Sequence, residues 1–403
     1  MPQGTEWLVT LPMSEKRKWH LAVLTSHPIQ YQAPLFRALA EHPRIDLTVF
    51  FCSDQGACEY YDDGFGRVVK WDIPLTDGYD HRFLVNISPL PSLSSPLGQI
   101  NPSILRRLHR GNHHALLIHS YAKVSSLLGY LAARLRGIPV LLRTESTLLR
   151  ERPWWVRVLK RAFLWVLLKQ TSACLYIGTR NREFFVHYGV RSDRLFPAPY
   201  AVENERLSAA AEEDRHRVRG ELGIGPDRVV ILYCGKLAAW KRPLDLVRAL
   251  ASAYLPRATL LIVGDGELRP QVEAEARALG LDVRLAGFVN QAQLSAFYAA
   301  SDCLVLPSEY EPWGLVVNEA MAAGLPVIVS DKVGCAADLV RSGENGVVYR
   351  CGDLAALAKA LGVVVTDADR RRCWGRRSRE IISGWDYQAD VQGIVGALEQ
   401  VVG

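Results

Sequence analysis

Two glutamates, Glu311 and Glu319, stand with seven residues between them in Glu311-Pro-Trp-Gly-Leu-Val-Val-Asn-Glu319. An apolar run, Cys303–Leu306, precedes them and ends at Pro307-Ser308, while Gly324 and Pro326 close the segment. This order predicts a buried strand, an acidic loop and then a helix that starts near Gly314 and stops at Gly324. A helix start presents free N–H groups, here those of Gly314, Leu315 and Val316, and glycine lets an anion approach closely. Glu311 lies on the loop and Glu319 about one turn inside the helix. Backbone donors for phosphate beside carboxylates for hydroxyls suit a sugar diphosphate. Acids near a helix start are also favourable by themselves, so the pair must be judged by its company.

That company is found at two further predicted strand ends. Tyr233-Cys-Gly-Lys-Leu-Ala-Ala-Trp-Lys-Arg-Pro243 follows an apolar run and places Lys236 and Lys241 on a loop before a helix. Two ammonium groups there would neutralise a diphosphate and its charge as it departs; a solvated basic loop is the plain alternative. Val263-Gly-Asp-Gly-Glu267 ends another run, with Gly264 and Gly266 forming a turn of low specificity. Three strand ends of one sheet thus carry groups suited to one ligand.

The elements that must position these groups follow from the apolar runs. At 403 residues the chain exceeds one ordinary core, which predicts two domains. Short runs alternate with helical patterns twice. In the first half they are Leu21–Thr25, Ile45–Phe51, Ala115–His119, Val140–Arg143 and Ala173–Ile177. In the second they are Val229–Cys234, Thr259–Val263, Val283–Ala286, Cys303–Leu306 and Val327–Ser330. Continuous apolar strands separated by helices predict parallel sheets covered on both faces, an α/β chain of two doubly wound Rossmann-like domains facing across a cleft. The expected bounds are 19–205 and 206–384, with 385–403 packing back on the first domain and residues 1–18 a polar leader. The net charge of +6 is mild and allows phosphate ligands or an anionic surface; no nucleic-acid partner is expected. The eight cysteines form no CxxC pair and read as small buried hydrophobes in a reducing cytoplasm. No secretion signal and no spanning segment are expected.

The motif set resembles the family-4 retaining glycosyltransferases of GT-B fold, whose E-x7-E region matches Pro307 to Pro326. Gly235-Lys-Leu…Lys241, Gly264-Asp-Gly-Glu267, Gly287-Phe-Val289, Ala300-Ser-Asp302 and Ser342-Gly-Glu-Asn-Gly346 fall in the family's order, and Trp385 matches the Trp opening its C-terminal helices. The resemblance implies that Glu319 binds the ribose, Glu311 the transferred sugar, and Lys236 and Lys241 the diphosphate, assisted by the amides of Gly314, Leu315 and Val316. The loop around Val289 would meet the base. Lys236 departs from the Arg of many members, replacing a bidentate fork with a point charge. The implied reaction is hexosyl transfer from a nucleoside diphosphate sugar to a glycan, lipid-linked or small-molecule hydroxyl. Front-face attack would retain configuration. No Asp-x-Asp triplet is expected in the chain, and neither a metal nor any other cofactor is expected to be obligatory. A non-catalytic nucleotide-sugar-binding subunit, an epimerase and a phosphorylase are the other readings.

The first half departs from the family more. Where members have a Gly-Gly turn, this chain reads Ser26-His-Pro-Ile-Gln-Tyr-Gln-Ala-Pro34, so His27, Gln30 and Tyr31 are candidate acceptor contacts, or else a locally satisfied loop. Glu145 stands where a His is expected. It would orient the acceptor or stabilise positive charge on the sugar, or it would pair with Arg143. His119, ending the preceding strand, is a second catalytic candidate or a structural residue. The stretch 52–112 mixes Tyr60, Tyr61, Phe65, Trp71 and Tyr79 with aspartates, which suits a carbohydrate contact or a loop packed by its aromatics. Segment 150–169 is basic and Trp-rich. It reads as a partly buried helix with snorkelling cations or as a peripheral contact with the inner face of an anionic membrane.

Overall fold

A computed structural model describes residues 18–62, 64–150, 152–209 and 212–403. The expected leader, apart from Lys18, lies outside the described residues. The strands are β1 (Trp19–Thr25), β2 (Ile45–Phe51), β3 (Tyr60–Asp62), β4 (Arg67–Val69), β5 (Asp80–Phe83), β6 (Ala115–His119), β7 (Val140–Arg143), β8 (Ala173–Tyr176) and β9 (Leu195–Pro197). They continue as β10 (Val229–Cys234), β11 (Ala258–Val263), β12 (Val283–Gly287), β13 (Cys303–Leu306), β14 (Val327–Ser330) and β15 (Gly346–Tyr349).

Two parallel sheets result. The first runs β5-β2-β1-β6-β7-β8-β9 and the second β12-β11-β10-β13-β14-β15. Each is doubly wound, with the strand order reversing between β1 and β6 and between β10 and β13. Successive residues of a strand point to opposite faces, and both faces are buried. In β1, Leu21 and Val23 enter one core and Ala22 and Leu24 the other. In β10, Ile231 and Tyr233 enter one and Val230 and Leu232 the other. The α/β architecture is the one the apolar runs predict. The runs did not reveal β3, β4, β5, β9 or β15, which are short, polar or carry proline.

The last helix, Tyr387–Val402, returns to the first sheet. Val391, Ile394, Val395 and Leu398 join the core formed by β1, β2 and the helix Ala33–Glu41. Each such side chain contributes about 1.5–3 kcal/mol by burial. Arg143, at the end of β7, donates from Nη2 to Asp390 Oδ2 at 2.8 Å, and both residues are buried.

Ligands of doubly wound sheets bind beyond the carboxyl ends of the strands where the order reverses. In the second lobe that crevice lies between the loops after β10 and β13, which carry Lys236, Lys241 and Glu311. In the first it lies between the loops after β1 and β6, which carry His27, Tyr31 and Ser120.

Candidate active site

A cavity of about 300 Å³ occupies the second crevice, lined among others by Lys236, Lys241, Gly264, Val289, Glu311 and Glu319 together with Gly314, Leu315 and Val316. The helix Leu315–Ala322 begins there. Gly314 precedes it at φ 100°, a left-handed conformation that strains any side chain, and an added Cβ would press on Leu306, Val333 and Glu311 at 3.2–3.3 Å. The helix's free amides and positive end therefore face the cavity. Lys241 Nζ donates to Glu311 Oε2, and both are largely shielded from solvent. Tyr298 donates its hydroxyl to Glu319 Oε2 at 2.5 Å. Burial raises the Glu319 carboxyl above its ordinary value, and the Tyr298 hydroxyl partly offsets this.

Gly264 and Gly266 differ in what they do. Gly264 lines the cavity and donates to the Gly287 carbonyl at 2.7 Å. Gly266 is not among the lining residues; it packs on the backbone of Leu237 instead. Lys236 is engaged by the first lobe, donating to Asp62 Oδ1 at 2.7 Å.

A second cavity, of about 350 Å³, fills the first-lobe crevice, with His27, Tyr31, His119, Lys123, Glu145 and Tyr200 among its walls. Gln30 is not among them. Gln32, two residues further along the turn, takes that place. Thr25 donates to Gln32 Oε1 at 3.0 Å, which leaves Gln32 Nε2 facing His119 Nδ1 at 3.2 Å. The proton of neutral His119 then resides on Nε2, which is buried without a hydrogen-bond partner among the described residues. Burial first, and Arg143 second, lower the His119 pKa to about 3. Burial also lowers His27 to about 4, with Lys123 adding to it. Both rings are neutral at neutral pH.

Glu145 does not pair with Arg143, because Asp390 holds that guanidinium. It accepts instead from Tyr31 at 3.0 Å and from Tyr200. Sequence patterns did not single out Tyr200, Tyr298 or Gln32, since each acts through a partner distant in sequence; Asp62 stood among the aspartates of 52–112, but its tie to Lys236 was not legible. The loop Glu309–Gly314 separates the two cavities: Tyr310 and Pro312 line the first-lobe cavity, and Glu311 and Gly314 the second.

Three expectations need correction. The tryptophans of the helix Trp154–Lys169 are not buried: only Leu164, Leu167 and Leu168 face the core, while Trp154 is 75% exposed. Cys58 and Cys373 are exposed, although the other cysteines are at least partly buried. The chain does contain an Asp-x-Asp triplet, Asp367-Ala-Asp369, but it lies away from both cavities. Asp367 caps the helix Ala368–Ile382 and Asp369 pairs with Arg372. Among the described residues no helix is long and apolar enough to cross a membrane.

The chain belongs to the group 1 glycosyl transferases. The profile described as "Glycosyl transferases group 1" matches residues 214–381, the part that builds the second cavity. A D-inositol 3-phosphate glycosyltransferase of Xylanimonas cellulosilytica is 31% identical over 305 residues, covering 70% of this chain and 71% of the relative. One of the same name from Nocardia farcinica is 32% identical over 225 residues, 53% of this chain, and the match spans about half (49%) of that relative's length. The solved structure of Anabaena HepE in complex with UDP and glucose superposes with a TM-score of 0.72 at 20% identity, over 95% of this chain and 100% of that one. This likeness supports the GT-B fold.

Proposed function

We propose that the protein is a retaining glycosyltransferase of the family-4, E-x7-E kind that moves a hexosyl group from a nucleoside diphosphate sugar to a hydroxyl acceptor. One observation carries this reading: Lys241, Glu311, Glu319 and a helix start converge on one cavity, and the loop bearing Glu311 also walls a second. In this reading 206–384 binds the donor and 19–205 the acceptor. Glu319 takes the ribose hydroxyls, Glu311 the transferred sugar, and Lys236, Lys241 and the amides of 314–316 the diphosphate. The acceptor oxygen attacks the anomeric carbon as the bond to phosphate breaks, and the leaving phosphate oxygen takes the acceptor proton. Electrostatic stabilisation of that leaving group is the protein's main contribution. His119 Nε2–H and Glu145 face the acceptor side, where one donates to and the other accepts from a hydroxyl. No metal is assigned to these steps, and loss of activity in EDTA with recovery in Mg²⁺ would overturn that.

The acceptor is a glycan, a lipid-linked molecule or a small molecule bearing a hydroxyl. Supporting a lipid-linked one, Trp154, Leu159 and Trp165 of the exposed helix stand beside Arg157 and Arg161, and Leu131 and Leu135 of the helix Val124–Arg136 are exposed too. Apolar side chains rimmed by cations fit an anionic bilayer surface, which in this reading is the inner face of the cytoplasmic membrane.

The test is a thermal-shift panel of nucleoside diphosphates and their sugars, followed by a transfer assay. A bound donor raises the melting temperature by mass action. Absence of any shift across the panel would remove the donor assignment.

A further inference from the structure

The hairpin β3–β4 belongs to the first lobe by sequence, yet it is not paired with either large sheet. It docks on the second lobe and is fastened at both ends. At one end the Asp62 carboxylate closes its own turn, accepting from the amides of Gly64 and Phe65, and also holds Lys236. The approach is close enough that a Cβ on Gly64 would lie 2.4 Å from Lys236 Nζ. At the other, Asn290 Nδ2 donates to the Lys70 carbonyl at 2.7 Å, and the Asp72 carboxylate accepts from the Ala292 amide at 3.2 Å. Asp72 thereby caps the helix Gln291–Ala299 from across the cleft.

Between these fastenings lie three rings. Phe65 meets Phe288 edge-on at 5.0 Å, and Trp71 lies 5.9 Å from Phe288. The two first-lobe rings line the same cavity as Glu319, on the side of Val289. The cavity wall therefore combines two kinds of group. Lys241 and a helix start suit a diphosphate, while the half-buried rings of Trp71, Phe288 and Phe65, the last carrying the Lys236 ammonium 4.6 Å from its centroid, suit a flat, weakly polar ring.

We infer that Trp71 and Phe65 are nucleotide-binding residues that cover the face of the base, so that the donor is gripped by both lobes. This rests on the donor reading above. Base–aromatic stacking sets the size of the effect. Titration calorimetry of the full chain with UDP, GDP and ADP identifies the tightest-binding probe. Trp71→Ala is expected to weaken that probe roughly tenfold, Trp71→Tyr to restore most of the affinity, and Trp71→Leu, of similar apolar character, to restore little. Melting curves check that all three variants fold. Undiminished binding by Trp71→Ala, or Leu restoring binding as well as Tyr, would overturn the assignment. If that happened while Glu319→Ala still weakened binding, the donor site would stand and only the aromatic seat would fall. A wild type that binds none of the probes would remove the donor reading itself.

Discussion

The ammonium of Lys241 is bonded to the carboxylate of Glu311, tying the loop after β10 to the loop after β13 across the point where the strand order reverses. The cation proposed for phosphate and the acid proposed for sugar thus form one unit. Lys241→Ala removes a charge from the leaving group and strands a shielded carboxylate. The turnover number kcat is expected to fall about a hundredfold to a thousandfold, and Glu311→Ala about as far. The double variant should be little worse than either single one, since the residues act together. Steady-state transfer assays decide, and full activity in both single variants would remove the assignment.

Glu319 is oriented by the Tyr298 hydroxyl. Glu319→Ala should weaken nucleoside diphosphate binding by about tenfold to a hundredfold, the range of a hydrogen bond to a charged group. Tyr298→Phe, which leaves the carboxylate but frees its rotation, should cost only a few-fold. Calorimetry on both variants gives the ratio.

His27 and His119 make stability depend on pH. Both are lowered in the folded chain, to about 4 and about 3, whereas the unfolded chain titrates near 6.5. The unfolded state therefore takes up protons first. Their contribution is complete above pH 6.5 and is lost as pH falls from 6.5 toward 4 for His27 and toward 3 for His119, on the order of a few kcal/mol. Urea midpoints should drop over that window, and His119→Gln should flatten the slope. An unchanged slope would count against a neutral buried His119.

Asp390 is the charged partner of buried Arg143. Asp390→Ala leaves that cation unpaired and should destabilise the fold by about 3–5 kcal/mol, with Asp390→Asn milder. Equilibrium urea unfolding reads both. A loss below about 1 kcal/mol would mean that solvent reaches Arg143 readily.

The exposed tryptophan helix predicts binding to vesicles containing an anionic lipid. Flotation should carry the wild type upward, and a charge-reversed Arg157/Lys160/Arg161→Glu variant should stay behind. Equal behaviour of the two would exclude an electrostatic contact through this helix.

Much of the fold was legible because buried parallel strands are written as unbroken apolar runs, and β2, β6, β7, β10, β13 and β14 have the bounds their runs predict. The loop and helix around Glu311 and Glu319 were legible too, since Gly314, Gly324 and Pro326 mark local backbone requirements. What stayed hidden depends on partners brought together only by the fold. Nothing near Arg143 points to Asp390, and nothing near Lys236 points to Asp62. The helix at 154–169 misled for a related reason: its leucines and its tryptophans are equally apolar, and periodicity does not say which face has a neighbour.

The return of the C-terminal helix to the first sheet has a mechanical consequence. The backbone passes between the lobes twice, once just before Asn204 and again around Trp385. The Asn204 side chain joins these passages by donating to the carbonyls of Ile382 and Trp385, at 3.2 and 3.3 Å. A single-stranded joint would let the halves swivel freely. Two strands stitched side by side resist torsion more than bending, so a hinge about this spine is the soft direction between the lobes.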